Sequence, residues 1–407
     1  GSDEAVVEVE TTEAPATTEA PTTTAAPAPA GDPLILASLM PLSGDLASLG
    51  PGIALGAALA VEQINAAGGI NGQPVQLIEG DSGCDGAVAL TSLNDVIAQG
   101  AQGVMGAACS GTSLAILDTA IAAEVVMVSP SNTSPQFTKI DKKGFYARTA
   151  PSDLLQGDVL ASLLVEDGVQ TVSIISRADS YGRGLAEATA AAFEAAGGTV
   201  KTIVYHATDA SEFTSEVTAV GKGGADAIVG ILFPETGCGV LQPAFEQGLL
   251  DTPWYMTDGV KDAGLASLCG LGTALDGFKG TAPGSAAGEA KDAFEAAYAG
   301  VSADGSPTFI FAPQAYDAVM LMAISAAANG VTGPEIASGL VAASSGGEKC
   351  IGVACIALAA DGVDVDYVGA SGEIELNAVG DPTAATYDIW TTEGDTNPVL
   401  KSVDFGS

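Results

Sequence analysis

From Pro33 onward the chain alternates short apolar runs with longer segments whose apolar residues recur at helical spacing, and few folds accept that rhythm. Residues 34–40, 75–80, 103–107, 125–128, 171–176, 199–205, 225–233 and 253–256 read as strands. Between them, 52–67, 87–99, 113–123, 152–166, 182–196, 212–222 and 236–248 read as helices, the first closed by Gly68 and Gly69. Strand–helix alternation implies an α/β fold with parallel sheets covered by helices on both faces. Two successive series imply two Rossmann-like lobes with a cleft between them. Residues 145–150 and 279–283 are expected as crossovers between the lobes. Helices are expected at 286–299 and 313–328, followed by a strand-rich end from 371–376 to 387–390 that crosses back and completes a three-strand hinge. The first lobe is then 32–148 plus 284–378, and the second 149–283 plus 379–407.

A length of 407 residues suits two domains, and 47% hydrophobic residues supply a core for each. Aromatic residues make up only 5%, so packing relies on close helix–sheet contact rich in Gly and Ala. The formal charge of −37 excludes nucleic acid as a partner and disfavours adhesion to anionic lipid. That charge is spread along the chain as a solvated surface. No apolar run is long enough to span a membrane. Residues 1–31, mostly Glu, Thr, Ala and Pro, read as an extended, disordered linker of the kind found in extracellular stalks. Its opening residues resemble those that follow the lipid-bearing cysteine of bacterial lipoproteins. An extracytoplasmic protein, tethered through an upstream cysteine, is therefore expected.

Six cysteines fit an oxidising compartment. Cys350 and Cys355 are close enough to close a local loop. Cys84 and Cys109 each follow an expected strand near one sheet edge, which leaves Cys238 with Cys269. Metal binding is the rival, but no Cys-X-X-Cys pair occurs and His206 is the single histidine, so no metal and no cofactor are expected.

Two polar clusters end apolar strands: Cys109-Ser-Gly-Thr-Ser113 and Ser129-Pro-Ser-Asn-Thr-Ser-Pro135. Ligands of open α/β sheets bind at such carboxyl ends, and helix-start N–H groups with nearby hydroxyls suit a small anion or carboxylate. Ser, Thr and Asn in such places also serve simply as helix N-caps. Hydrolase, metalloprotease and phosphate-loop motifs are missing. The glycines of 50–56 faintly resemble a dinucleotide fingerprint, yet nine residues (41–49) separate them from Met40, and Pro51 occupies the turn. An enzyme is not expected.

Over 33–395 the chain resembles the type I periplasmic-binding-protein fold in its branched-chain amino-acid (Leu/Ile/Val) subfamily. The resemblance rests on the order and spacing of Pro41–Gly50, Ala60–Gly72, the two polar clusters, Ser180-Tyr-Gly-Arg-Gly184 and Ala315-Tyr-Asp-Ala-Val319. It implies a monomeric substrate-binding protein that closes on a small α-amino acid and delivers it to the permease of an ABC importer. It also implies that Ser110, Asn132 (through its backbone) and Thr133 hold the carboxylate, and that Asp258 holds the ammonium. Tyr181 would cover the ligand and Phe233 add a wall. Leu49 stands where many relatives carry an aromatic residue. The first-lobe disulfide of the family maps onto Cys84–Cys109. A sensor, or a binder of urea, short amides or small aromatic acids, is the alternative; those solutes lack the ammonium that Asp258 would pair with.

Overall fold

The computed structural model describes residues 1–2, 31–210 and 212–405. Apart from its ends, the linker expected over 1–31 lies outside the described residues.

The first series runs β1 (Ile35–Met40), α1 (Gly50–Ala66), β2 (Gln76–Asp81), α2 (Gly86–Ala98), β3 (Gly103–Gly106), α3 (Ser110–Ala122), β4 (Val126–Ser129) and β5 (Tyr146–Arg148). Its five strands form one parallel sheet in the order β2-β1-β3-β4-β5. The central strands β3 and β4 are wholly buried because helices cover both faces, which is why they read as unbroken apolar runs. The segment 145–150, expected as a crossover, instead supplies edge strand β5 before the chain leaves the sheet.

The second series runs α4 (Asp153–Glu166), β6 (Thr171–Arg177), α5 (Ser180–Ala195), β7 (Thr199–His206), α6 (Thr214–Gly221), β8 (Ala227–Ile231), α7 (Pro234–Glu246), β9 (Trp254–Met256), α8 (Leu265–Leu268) and β10 (Lys279–Pro283). Here too an expected crossover, 279–283, is a strand, pairing in parallel with β9. Polar caps start these helices where the sequence places them: Ser152 accepts from Leu154 N, and Asp179 from Gly182 N.

The chain then forms α9 (Glu289–Val301), α10 (Ala312–Asn329), α11 (Gly333–Gly339), β11 (Glu348–Ile351), α12 (Ala354–Ala360), β12 (Val365–Gly369), β13 (Gly372–Glu373), β14 (Ala385–Thr391) and β15 (Val399–Phe405). Helix α10 is buried along nearly its whole length and packs on α1, β3 and β4. The approach is close: a Cβ on Gly56 would lie 2.2 Å from the Ala312 carbonyl oxygen. Strands β11–β13 make a small separate sheet, whereas β14 and β15 extend the second sheet antiparallel to β10. The second lobe is therefore a mixed sheet of order β15-β14-β10-β9-β8-β6-β7. Three chain passages join the lobes, after β5, after β10 and before β14. The disulfides Cys84–Cys109, Cys238–Cys269 and Cys350–Cys355 are paired as the sequence led us to expect.

Candidate functional site

The carboxyl ends of β1, β3 and β4 face those of β6, β8 and β9 across the cleft, and the polar clusters occupy that space. Ser110 is the first residue of α3, directly after disulfide-bonded Cys109. Its Oγ accepts from Ser134 N at 3.4 Å, which ties the two clusters together. The 129–134 loop is braced from below. Asn132 Nδ2 donates to the carbonyls of Ala107 (3.1 Å) and Ala108 (2.7 Å), and its Oδ1 accepts from Tyr146 OH at 2.9 Å. Its N–H reaches Ser129 Oγ and its carbonyl accepts from Arg148 Nη1, so Asn132 is already fully engaged inside the first lobe. Thr133 differs. Its hydroxyl is completely buried and has no hydrogen-bond partner among the described residues, the condition expected of a group kept for a ligand.

On the opposite lobe Asp258 opens a single helical turn after β9. Its Oδ1 accepts from Gln156 Nε2 at 2.8 Å and from Tyr181 OH at 3.0 Å. Burial nevertheless pushes its pKa up to about 6. Gly259 lies against the backbone; a Cβ there would sit 2.4 Å from the Leu232 carbonyl oxygen. Tyr181 stacks on Phe233 with ring centroids 5.3 Å apart. Leu49 precedes α1, is almost fully buried, and joins Leu46, Ile53 and Phe311 as an aliphatic-to-aromatic wall.

Three residues that the sequence does not single out belong to this place. Asp153, the first residue of α4, is completely buried, and neither carboxylate oxygen has a hydrogen-bond partner among the described residues. Its N–H donates to the Thr133 carbonyl at 2.8 Å, which seats it under the first-lobe loop. Burial, together with the nearby Asp258, drives its pKa well above the carboxylate range. The Thr133 hydroxyl is near enough to ease that shift without making a hydrogen bond of standard geometry. Gln156, one turn further along α4, also donates to Thr281 O at 3.1 Å and so fixes Asp258 to the second sheet. Phe311 precedes α10 with φ of +60°, a left-handed conformation rare for so bulky a residue.

The site thus has hydroxyl and N–H groups of the first-lobe loops, with Asp153 seated under the Thr133 loop, Asp258 on the opposite lobe, and an apolar wall. The cavity enclosed by Leu46, Leu49, Ser110, Tyr181, Phe233 and Asp258 is about 20 Å³, on the order of one water molecule. As it stands, that cavity is too small for an amino acid.

The family described as periplasmic binding protein matches residues 33–349. The chain belongs to that family. An amino acid binding protein of Pseudomonas aeruginosa is 34% identical over 238 residues, covering 56% of this chain and 62% of its own length. The matched segment thus spans about six tenths of that relative. A leucine-, isoleucine-, valine-, threonine- and alanine-binding protein of the same organism is 29% identical, covering 72% and 78% of the two chains. Among solved structures, a branched-chain amino acid substrate-binding protein of Streptococcus pneumoniae, in complex with isoleucine, superposes with a TM-score of 0.76 at 22% identity. That likeness covers 92% of this chain and all of the other, and it establishes the two-lobed fold.

Proposed function

We propose that this periplasmic binding protein holds a small aliphatic α-amino acid, branched-chain above all, between its lobes and delivers it to the permease of an ABC importer. The observation that carries the reading is the pairing of unlike ends in one cleft. Thr133 presents a buried, unpartnered hydroxyl beside Ser110, and Asp258 presents a buried carboxylate from the opposite lobe. A buried carboxylate is tolerated where a cation and hydrogen bonds compensate it, and an ammonium supplies both. Ser110 and Thr133 hold the solute's carboxylate; Asp258, with Asp153 beside it, holds the ammonium. Leu46, Leu49 and Ile53 face the side chain. Tyr181 and Phe233 form the lid on the second lobe. Urea, amides and aromatic acids bring no ammonium and would leave Asp258 uncompensated.

The lobes, divided at 148/149, 283/284 and 378/379, close around the solute as rigid bodies, since contacts from both lobes are available only when it bridges them. Binding and release, not catalysis, are the work of the cleft. Three disulfides and the family membership support action outside the cytoplasm; the resemblance to binding proteins of this kind favours a monomer. A thermal-shift screen of amino acids, urea, short amides and aromatic acids, followed by calorimetry, tests the reading. A large shift with leucine, isoleucine or valine supports it. Shifts confined to solutes without an ammonium would overturn it.

A further inference from the structure

The loop between β1 and α1, which also carries Leu46 and Leu49, reaches across to the second lobe. Asp45 of that loop places its carboxylate on the first turn of α7, accepting from Thr236 N at 2.9 Å and Thr236 Oγ1 at 3.0 Å. The same carboxylate pairs with Arg177 Nη1. Beside it, Ser48 N donates to Glu235 Oε1 at 2.9 Å. Arg177 ends β6, and its side chain is 3% exposed. It is organised by its own lobe, for its Nε donates to Asp179 Oδ2 at 2.7 Å and its guanidinium lies 3.7 Å above the Phe233 ring. Phe233 in turn stacks on Tyr181, whose hydroxyl donates to Asp258.

From this geometry we infer that Asp45 and Arg177 form an interlobe clasp, made only when the lobes close, which slows release of the solute and, through Phe233, seats the wall over it. This rests on the binding-protein reading for its purpose. The physical logic is independent of the solute. Asp179 and the Phe233 ring keep Arg177 compensated and in place in either arrangement, so closure adds the Asp45 contact without first having to order the arginine. With its second partner, the Arg177 side chain lies almost wholly buried, where a charge pair is weakened little by solvent. Asp45 gains the helix N-terminus and the guanidinium together. In a chain of net charge −37, the two acidic lobes also need a cation at their seam, and Arg177 provides it.

Because the contact belongs to the closed arrangement, its loss is read in the dissociation rate. The test uses Asp45→Asn, which leaves Arg177 with Asp179, and Arg177→Lys, which keeps the charge but not the fork. Stopped-flow release of leucine is expected to accelerate about tenfold or more in Asp45→Asn, with association changed by less than about threefold. Arg177→Lys should fall between it and the wild type. Small-angle scattering without added solute should give a larger radius of gyration for Asp45→Asn than for the wild type. Release and dimensions both equal to wild type would overturn the clasp. Should the wild type bind no amino acid, the proposed function falls, while the scattering comparison still decides the clasp.

Discussion

Replacing Asp258 with Asn separates what this residue does for binding from what it does to the fold, because the two effects carry opposite signs. In the folded protein its pKa rises from 3.8 to about 6 through burial. The folded state therefore holds that proton more tightly than the unfolded chain does. No penalty exists below about pH 4; it grows as pH rises through the window and is complete above about pH 6. A lift of that size amounts to on the order of 3 kcal/mol of lost stability at pH 7. Asn keeps the shape without the charge, so Asp258→Asn should raise the melting temperature of the solute-free protein by several degrees at pH 7 and hardly at all at pH 4. Binding should move the other way. Removing one partner of a buried ion pair costs ~3–5 kcal/mol, and each ~1.4 kcal/mol is tenfold in Kd. Asp153 stays behind to share the ammonium, which places the loss near the lower end, about 100-fold. Scanning fluorimetry at both pH values and calorimetry with leucine read the two quantities. A variant that binds like wild type, or melts lower at pH 7, would refute the reasoning.

Three other outcomes follow from the same geometry. Thr133→Val removes a buried hydroxyl with no partner, so the solute-free protein should be as stable or up to ~1 kcal/mol more stable, while leucine binding weakens about tenfold in calorimetry. Pairing of the ammonium with Asp258 and Asp153 favours their ionised forms, so leucine binding at pH 6 should release protons, seen as enthalpies that differ between buffers of unlike ionisation heat; affinity should fall as pH drops below about 6. Cys84→Ala/Cys109→Ala opens a loop of 25-residue separation, which should cost about 3–4 kcal/mol in denaturant melts, and should also weaken binding because Cys109 seats Ser110.

Most of the architecture is legible in the amino-acid sequence, and the exceptions have physical reasons. Strand–helix alternation reports the two sheets because buried parallel strands leave unbroken apolar runs, as in β3 and β4. Crossovers are harder, since a buried edge strand such as Tyr146–Arg148 carries no signal that distinguishes it from a connecting segment. Strands β11 and β15 are mostly exposed or half-buried and lack that apolar signature, so the small sheet and the last edge strand escape a reading by pattern. Of the site, the hydroxyl clusters and Asp258 stand at strand ends, where chain position alone is informative. Asp153 does not: an acid in the first turn of a helix is the commonest way to complement its dipole. Only the fold shows it buried against Thr133 and Asp258 rather than turned to solvent. Phe311 is out of reach for another reason, because its left-handed backbone contradicts the preference of its own residue type.

The placement of the acids also bears on selectivity. Of the 50 acidic residues, nearly all can be solvated at the surface, whereas Asp153 and Asp258 are buried at the cleft against a desolvation penalty. Surface charge keeps such a chain soluble whatever its cleft contains. Interior charge of the same sign acts only on what enters the cleft. On the proposed reading, a solute with an ammonium compensates Asp258, whereas a neutral amide of equal size does not, and an aromatic carboxylate brings negative charge with no ammonium to offset it. Discrimination by an unmet buried charge exceeds what a shape-matched apolar wall supplies, since a methylene gained or lost there is worth only ~1–3 kcal/mol. Leu46, Leu49 and Ile53 can therefore rank aliphatic side chains among amino acids. On the proposed reading, it is the buried acid Asp258 that separates amino acids from other solutes.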